Sequence, residues 1–168
     1  MASDQRVPAY EPAQFLNVDL EIGARGKLAP LIAELAPRLL ELHRGKIGAL
    51  NRVHYEIGVY VSDADSTMQA LIEALQQLTP AARRIWDRAE LRDFNIGIQG
   101  GLEPGHTEIA VATRTLAQVV ALGGRLVVTV YPPCPAKPDL HPRTNSPTRK
   151  RRAATSSSAR SSPGARRH

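Results

Sequence analysis

The chain has 168 residues, 42% of them apolar, which is enough for one hydrophobic core and too few for two ordinary domains. Its single cysteine excludes an internal disulfide framework, and the absence of a run of about 18 apolar residues excludes a membrane-spanning helix. The formal net charge is +6, but nine Lys and Arg and only one Asp fall in residues 132–168, which leaves 13 basic and 15 acidic residues in residues 1–131. The basic character therefore belongs to the C-terminal segment.

Composition also predicts the domain boundaries. Residues 132–168 hold seven of the 13 prolines and one large aliphatic residue, so they cannot bury enough apolar area to offset the entropy of ordering. We expect a flexible N-terminus at 1–12, a single domain at 13–131 and a disordered basic tail rich in Pro, Ser and Arg at 132–168. The polar first residues do not resemble a signal peptide, so we expect a cytoplasmic protein.

Apolar residues in the first half of the domain alternate first with a period of two and then with a helical period. The period of two predicts a strand at 15–22, and the helical period predicts a helix at 28–42. Pro37 should kink or break that helix, because proline lacks an N–H and its ring clashes with the preceding turn. A loop is expected at 43–53, and a second strand at 54–61.

The second half begins with a helix that Ser66 and Gln69 would start as a capping box. Thr79 as N-cap and Pro80 at the first helical position predict another, short helix. The further expected elements are a strand at 94–99, a short strand at 108–112, a helix around 116–122 that Gly123 stops, and a last strand at 125–131.

Together these segments predict an α+β domain with a mixed sheet of four or five strands and helices on one face. Residues 15–61 and 94–131 both contain a strand–helix–strand unit, and their first strands are similar in sequence. That similarity is compatible with an internal duplication.

The strand and helix patterns of residues 86–99 and 121–131 resemble a short uncharacterised bacterial α+β domain. Some relatives of that domain are suspected immunity proteins of toxin systems. The resemblance covers about residues 86–131 and rests on strand patterns. It implies binding of a partner protein and identifies no catalytic residue.

One face of the sheet is the main candidate site. The apolar residues of each strand must face the helices, so the alternate residues share the opposite face. They bring carboxylate, imidazole, amide and hydroxyl groups together. The candidate binding residues are Asp19, Glu21, His54, Glu56, Asn95, Gln99 and Tyr131.

Three interpretations of this face remain open. It is a solvated surface, an interface for a basic partner protein, or a catalytic or metal site built on His54 and the carboxylates. A flat face does not shift pKa values as a concave, partly dry site does, so we assign no catalytic residue, metal ligand or cofactor.

The tail contains a basic cluster that could contact polyanions. Its members are Arg149, Lys150, Arg151 and Arg152, and no aromatic residue lies between them to stack on bases. The prediction is therefore non-specific contact with nucleic acid or another polyanion through the tail alone. The chain lacks the glycine-rich phosphate-binding motifs and the zinc-binding and nucleophile motifs of common enzymes.

The sequence therefore predicts a non-enzymatic interaction module, of the immunity type, that docks a partner protein through the polar face. The alternative is a small hydrolase or small-molecule-binding domain that uses His54 and the nearby carboxylates. A deep pocket beside His54 would favour this alternative.

Overall fold

In the computed structural model of the protein, the described residues are 12–59, 61–102 and 106–133. The predictions of a flexible N-terminus and a disordered tail therefore fall almost entirely outside the described residues. The basic cluster at 149–152 also lies outside them.

Five strands and four helices follow one another along the described chain. They are β1 (Gln14–Ala24), α1 (Ala29–Leu35), β2 (Leu40–Ile47), β3 (Leu50–Glu56), α2 (Ala64–Gln76), α3 (Pro80–Asp87), β4 (Leu91–Gln99), α4 (Thr113–Ala121) and β5 (Arg125–Tyr131).

The five strands form one mixed sheet in the order β2-β3-β1-β4-β5. Every neighbouring pair is antiparallel except β4 and β5, which are parallel and are connected through α4. The first strand of the chain is thus the middle strand of the sheet. The predicted α+β class, with a mixed sheet and helices on one face, is confirmed.

The core lies between the sheet and the helices and follows from the alternation within the strands. Val18, Leu20 and Ile22 of β1 are fully buried, and the equivalent rows of β3 and β4 continue this surface. Trp86 of α3 is also fully buried, and its indole N–H donates to the carbonyl of Leu122 at 2.9 Å. A buried indole needs such an acceptor, so this bond joins α3 to the end of α4.

The helix boundaries follow local capping chemistry. The N-cap of α2 is Asp63, whose carboxylate accepts from the N–H of Ser66, so the predicted capping box at Ser66 is wrong by one turn. The hydroxyl of Thr79 caps α3, which begins at Pro80 as predicted. Gly123 ends α4 with a φ of 67°, a conformation that glycine adopts without steric cost.

The predictions for residues 28–61 were partly wrong. The helix ends at Leu35, and residues 40–56 form a hairpin of β2 and β3 around Gly48, where we expected the end of a helix and a loop. The leucines at 39 and 42 fit a helical period as well as a strand, and this ambiguity led to the error. The second strand consequently ends at Glu56 and does not continue to 61.

Two further differences concern the second half. No strand forms at 108–112, whereas the last strand occupies 125–131 as predicted. The two strand–helix–strand units also pair differently, since β1 and β3 are antiparallel and β4 and β5 are parallel. They are therefore not copies of one arrangement. None of the described helices has the length and apolar character needed to cross a membrane.

Replacement of the buried Leu20 by alanine should destabilise the domain by about 2–5 kcal/mol, because the truncation loses buried apolar area and leaves a cavity. Leu102 is 54% exposed, so Leu102→Ala should change the free energy of unfolding by about 0.5 kcal/mol or less. Urea denaturation of both variants measures the difference. Equal effects would show that β1 does not carry the core.

Candidate functional site

The side of the sheet opposite the helices carries polar side chains from β1, β3, β4 and β5. Register places Glu21 opposite both His54 and Asp93, and Asp19 opposite Asn95. The predicted face therefore exists. It is less exposed than a solvated surface would be, since the side chains of Glu21 and His54 are only 18% and 22% exposed.

A chain of hydrogen bonds crosses this face diagonally, from β5 through β4 to β1. The hydroxyl of Thr129 donates to Oδ1 of Asn95 at 2.8 Å, and Nδ2 of Asn95 donates to Oε1 of Glu21 at 2.8 Å. The other carboxylate oxygen of Glu21 lies 3.7 Å from Nε2 of His54, which is within ion-pair distance but beyond a hydrogen bond. Glu21 is thus held in place from the β4 side, and His54 contacts it more loosely from β3.

Asp19 and Glu56 are connected by a single amide. Nδ2 of Asn17 donates to Oδ1 of Asp19 at 2.9 Å and to Oε2 of Glu56 at 3.0 Å. Burial, as the largest cause, and the negative charges of Glu56 and Glu21 together raise the pKa of Asp19 to about 6, although the hydrogen bond from Asn17 opposes the increase. The carboxyl of Asp19 therefore gains or loses its proton as the pH passes through about 6.

A cavity of about 880 Å³ opens beside these two carboxylates, where β3 ends at Glu56 but β1 continues. Residues 16–19 of β1 lie along it; they neighbour β4 on one side, and no described strand pairs with them on the other. The cavity is a wide groove that is open to solvent. Its polar lining is Asn17, Asp19, Glu56, Thr67, Gln99 and Tyr131, and its apolar lining includes Leu16, Leu40, Ile57, Val59 and Val61.

The structure divides the seven predicted binding residues into two groups. Asp19, Glu56, Gln99 and Tyr131 line the cavity, whereas Glu21, His54 and Asn95 lie beside it on the same face and do not line it. The pocket is thus located next to Asp19 and Glu56, and not next to His54. Tyr60 continues the alternation of His54 and Glu56 in the sequence, and it lies outside the described residues.

Sequence reasoning missed several residues of this surface. His43, whose ring meets that of His54 edge to face at a centroid distance of 5.6 Å, was assigned to a loop. Asp93 is 5% exposed and accepts two hydrogen bonds from the guanidinium of Arg125, at 2.8 and 2.6 Å. Asp93 precedes Asn95 by two residues, so extending the predicted strand toward the N-terminus would have placed it on the polar face.

Possible ligands for a metal ion are not grouped on this face. Among the described residues, no three His, Cys, Asp or Glu side chains come close enough together to hold a metal ion.

Comparison of the chain with protein-family models, with curated proteins and with solved structures finds no match.

Replacement of Asp19 by asparagine should stabilise the domain at neutral pH and change little near pH 4. In the folded state the pKa of Asp19 is raised from about 3.8 to about 6, so folding is opposed once the unfolded chain has ionised. The penalty is absent below the unfolded pKa, grows as the pH rises to about 6 and is complete above it. Asparagine retains an acceptor for Asn17 and carries no charge.

Urea denaturation midpoints measured between about pH 4 and pH 8 test this expectation. Glu73→Gln is the control, because Glu73 is an exposed carboxylate on α2, in the helix layer and not on the polar face of the sheet. A pH dependence of stability that is the same in Asp19→Asn as in the control would contradict the raised pKa.

Proposed function

We propose that the domain is a non-enzymatic interaction module that binds an extended, positively charged segment of a partner protein. The observation that carries this proposal is the cavity beside β1, which joins an open strand edge to the carboxylates of Asp19 and Glu56. The strand edge supplies main-chain hydrogen bonds to the ligand, and the two carboxylates supply negative charge.

The strand edge supports an extended ligand. Where β3 has ended, residues 16–19 of β1 present one side to the cavity without a described partner strand. A segment added there would continue the sheet in the place that β3 leaves empty, which is a common mode of peptide recognition. A strand rises about 3.3 Å per residue, so four residues of β1 offer an edge of roughly 13 Å.

The charges support a cationic ligand. A Lys or Arg side chain that enters between Asp19 and Glu56 would form charge-assisted hydrogen bonds, which are shorter and stronger than neutral ones. It would also relieve the repulsion between the two carboxylates and lower the pKa of Asp19. Leu40, Ile57 and Val59 would contact apolar residues that alternate with the basic one.

This function agrees with the role that the sequence resemblance implies. An immunity-type protein acts by docking onto a partner toxin, and a basic segment of such a toxin fits the chemistry of the cavity. We propose that the interaction takes place in the cytoplasm and that the tail, residues 132–168, makes only non-specific contacts with polyanions.

The proposal predicts selective binding of a blocked pentapeptide that alternates valine and lysine. In two-dimensional ¹⁵N–¹H NMR spectra of the full chain, this peptide should shift the amide signals of residues 16–19 and of Glu56. The matched peptide with glutamate in place of lysine should not shift these signals, because its negative charges are repelled by those of Asp19 and Glu56. Asp19→Asn combined with Glu56→Gln should weaken binding of the lysine peptide at least tenfold, which is about 1.4 kcal/mol.

Glu73→Gln serves as the matched control, since it removes one negative charge from α2 and leaves the cavity unchanged. Equal binding of both peptides, or shifts confined to other surfaces, would contradict the proposal.

A second candidate is acid–base chemistry on a small molecule, and the pKa of Asp19 favours it. A carboxyl with a pKa of about 6 suits proton transfer near neutral pH, and about 880 Å³ is ample for a small substrate. Asp19 and Glu56 would then carry the reaction in place of His54. Hydrolysis of a panel of nitrophenyl esters and glycosides that disappears in Asp19→Asn would favour this candidate over the first.

A further inference from the structure

The two edges of the sheet differ in chemistry. The β2 edge carries Glu41, His43, Arg44 and Lys46 within eight residues, and charged side chains of this kind discourage the pairing of strands from different molecules. The β5 edge lacks this protection: residues 126–131 contain no charged residue, no glycine and no proline. Among the described strands, β5 pairs with β4 alone.

Apolar side chains along β5 remain exposed on the helix side of the sheet. Leu126, Val128 and Val130 lie in register with the largely buried row of Phe94 and Ile96 on β4 and its continuation, yet they are 44%, 53% and 64% exposed. The helix layer therefore ends before the sheet does, and the outermost strand is left uncovered.

The helix that leads into β5 also exposes apolar side chains. On α4, Val119 faces the core, whereas Val120 is 73% exposed and Leu116 is 36% exposed. Apolar residues of β5 and of the helix that leads into it are thus both exposed, and β5 also presents main-chain groups that no described strand pairs with. This combination is typical of a protein interface.

We propose that the β5 edge pairs antiparallel with β5 of a second copy of this chain, so that two sheets of five strands form one continuous sheet of ten. The two-fold axis would pass beside Val128, which is the midpoint of Arg125–Tyr131. With the axis at this position, all seven residues of each strand are paired. Leu126 would then lie opposite Val130 of the other copy, and the α4 helices of both copies would flank the apolar row on the same face.

The distribution of charge favours a second copy as the occupant. In such a pair only the residue on the two-fold axis meets its own counterpart, but every other contact is also between residues of the same short strand. Like charges on that strand would therefore lie close together, and residues 126–131 carry no charge. Arg125 lies at the end of the strand opposite Tyr131 of the other copy, and its charge is already paired with Asp93.

The chain direction is compatible with the same arrangement. The strongly basic residues 132–168 follow β5 directly, and antiparallel pairing places the two Tyr131 residues at opposite ends of the paired strands. Parallel pairing would start both basic segments side by side.

The oligomeric state of the full chain tests the proposal. Light scattering coupled to size-exclusion chromatography should give twice the chain mass for the native protein and the mass of one chain for Val128→Lys, because the two lysines would face each other across the axis. The control is Leu42→Lys, which adds the same charge to the β2 edge and should leave the dimer intact. A native protein of single-chain mass at every concentration, or a dimer that persists in Val128→Lys, would overturn the proposal.

A second variant separates loss of pairing from loss of folding. In a Cys134→Ser background, Val128→Cys should form a disulfide-linked dimer on mild oxidation, because directly opposed residues of an antiparallel pair have Cα atoms about 4.5–5.5 Å apart, which a disulfide can span. Leu42→Cys in the same background should not. Cross-linking that is equal at both positions would show random collision and would count against β5.

Discussion

The alternation of β1 is the constraint on which the fold and the candidate site both depend. β1 is the middle strand of the sheet, with Val18, Leu20 and Ile22 in the core and Asp19 and Glu21 on the other face. A shift of one residue in its register would bury carboxylates among aliphatic side chains and expose the aliphatic row to water. Because that exchange would cost much free energy, the register of β1 is fixed. The register of β1 in turn determines which polar groups of β3 and β4 come together.

The elements that could be predicted from sequence were those with one clear period. α3 begins where its capping residues Thr79 and Pro80 place it, and β1 alternates regularly between apolar and polar residues, so local chemistry was sufficient to predict both. Residues 39–56 could not be resolved in this way, because their leucines fit two periods. The cavity was harder still: it exists because β3 ends at Glu56 beside a longer β1, and the difference depends on pairing between segments that are distant in sequence.

The ionised carboxylate of Asp19 opposes folding, and an amide side chain holds it in place. Like charges on adjacent strands destabilise the sheet, and partial burial adds a desolvation cost to the ionised form of Asp19. Asn17 donates to Asp19 and Glu56, and Asn95 donates to Glu21, so each carboxylate keeps a fixed donor. An arrangement that lowers stability and is then secured by neighbouring groups is typical of a site that serves binding.

The strand order also determines how the domain can form during synthesis. β1 leaves the ribosome first, yet one of its two neighbours, β4, lies about 70 residues later. Synthesis adds roughly 5–20 residues per second, so β1 remains without β4 as a neighbour for on the order of ten seconds. During that interval the nascent chain exposes a strand that, in the folded domain, pairs with a neighbouring strand on each side. Chaperone binding or premature pairing between neighbouring nascent chains would therefore begin at residues 14–24.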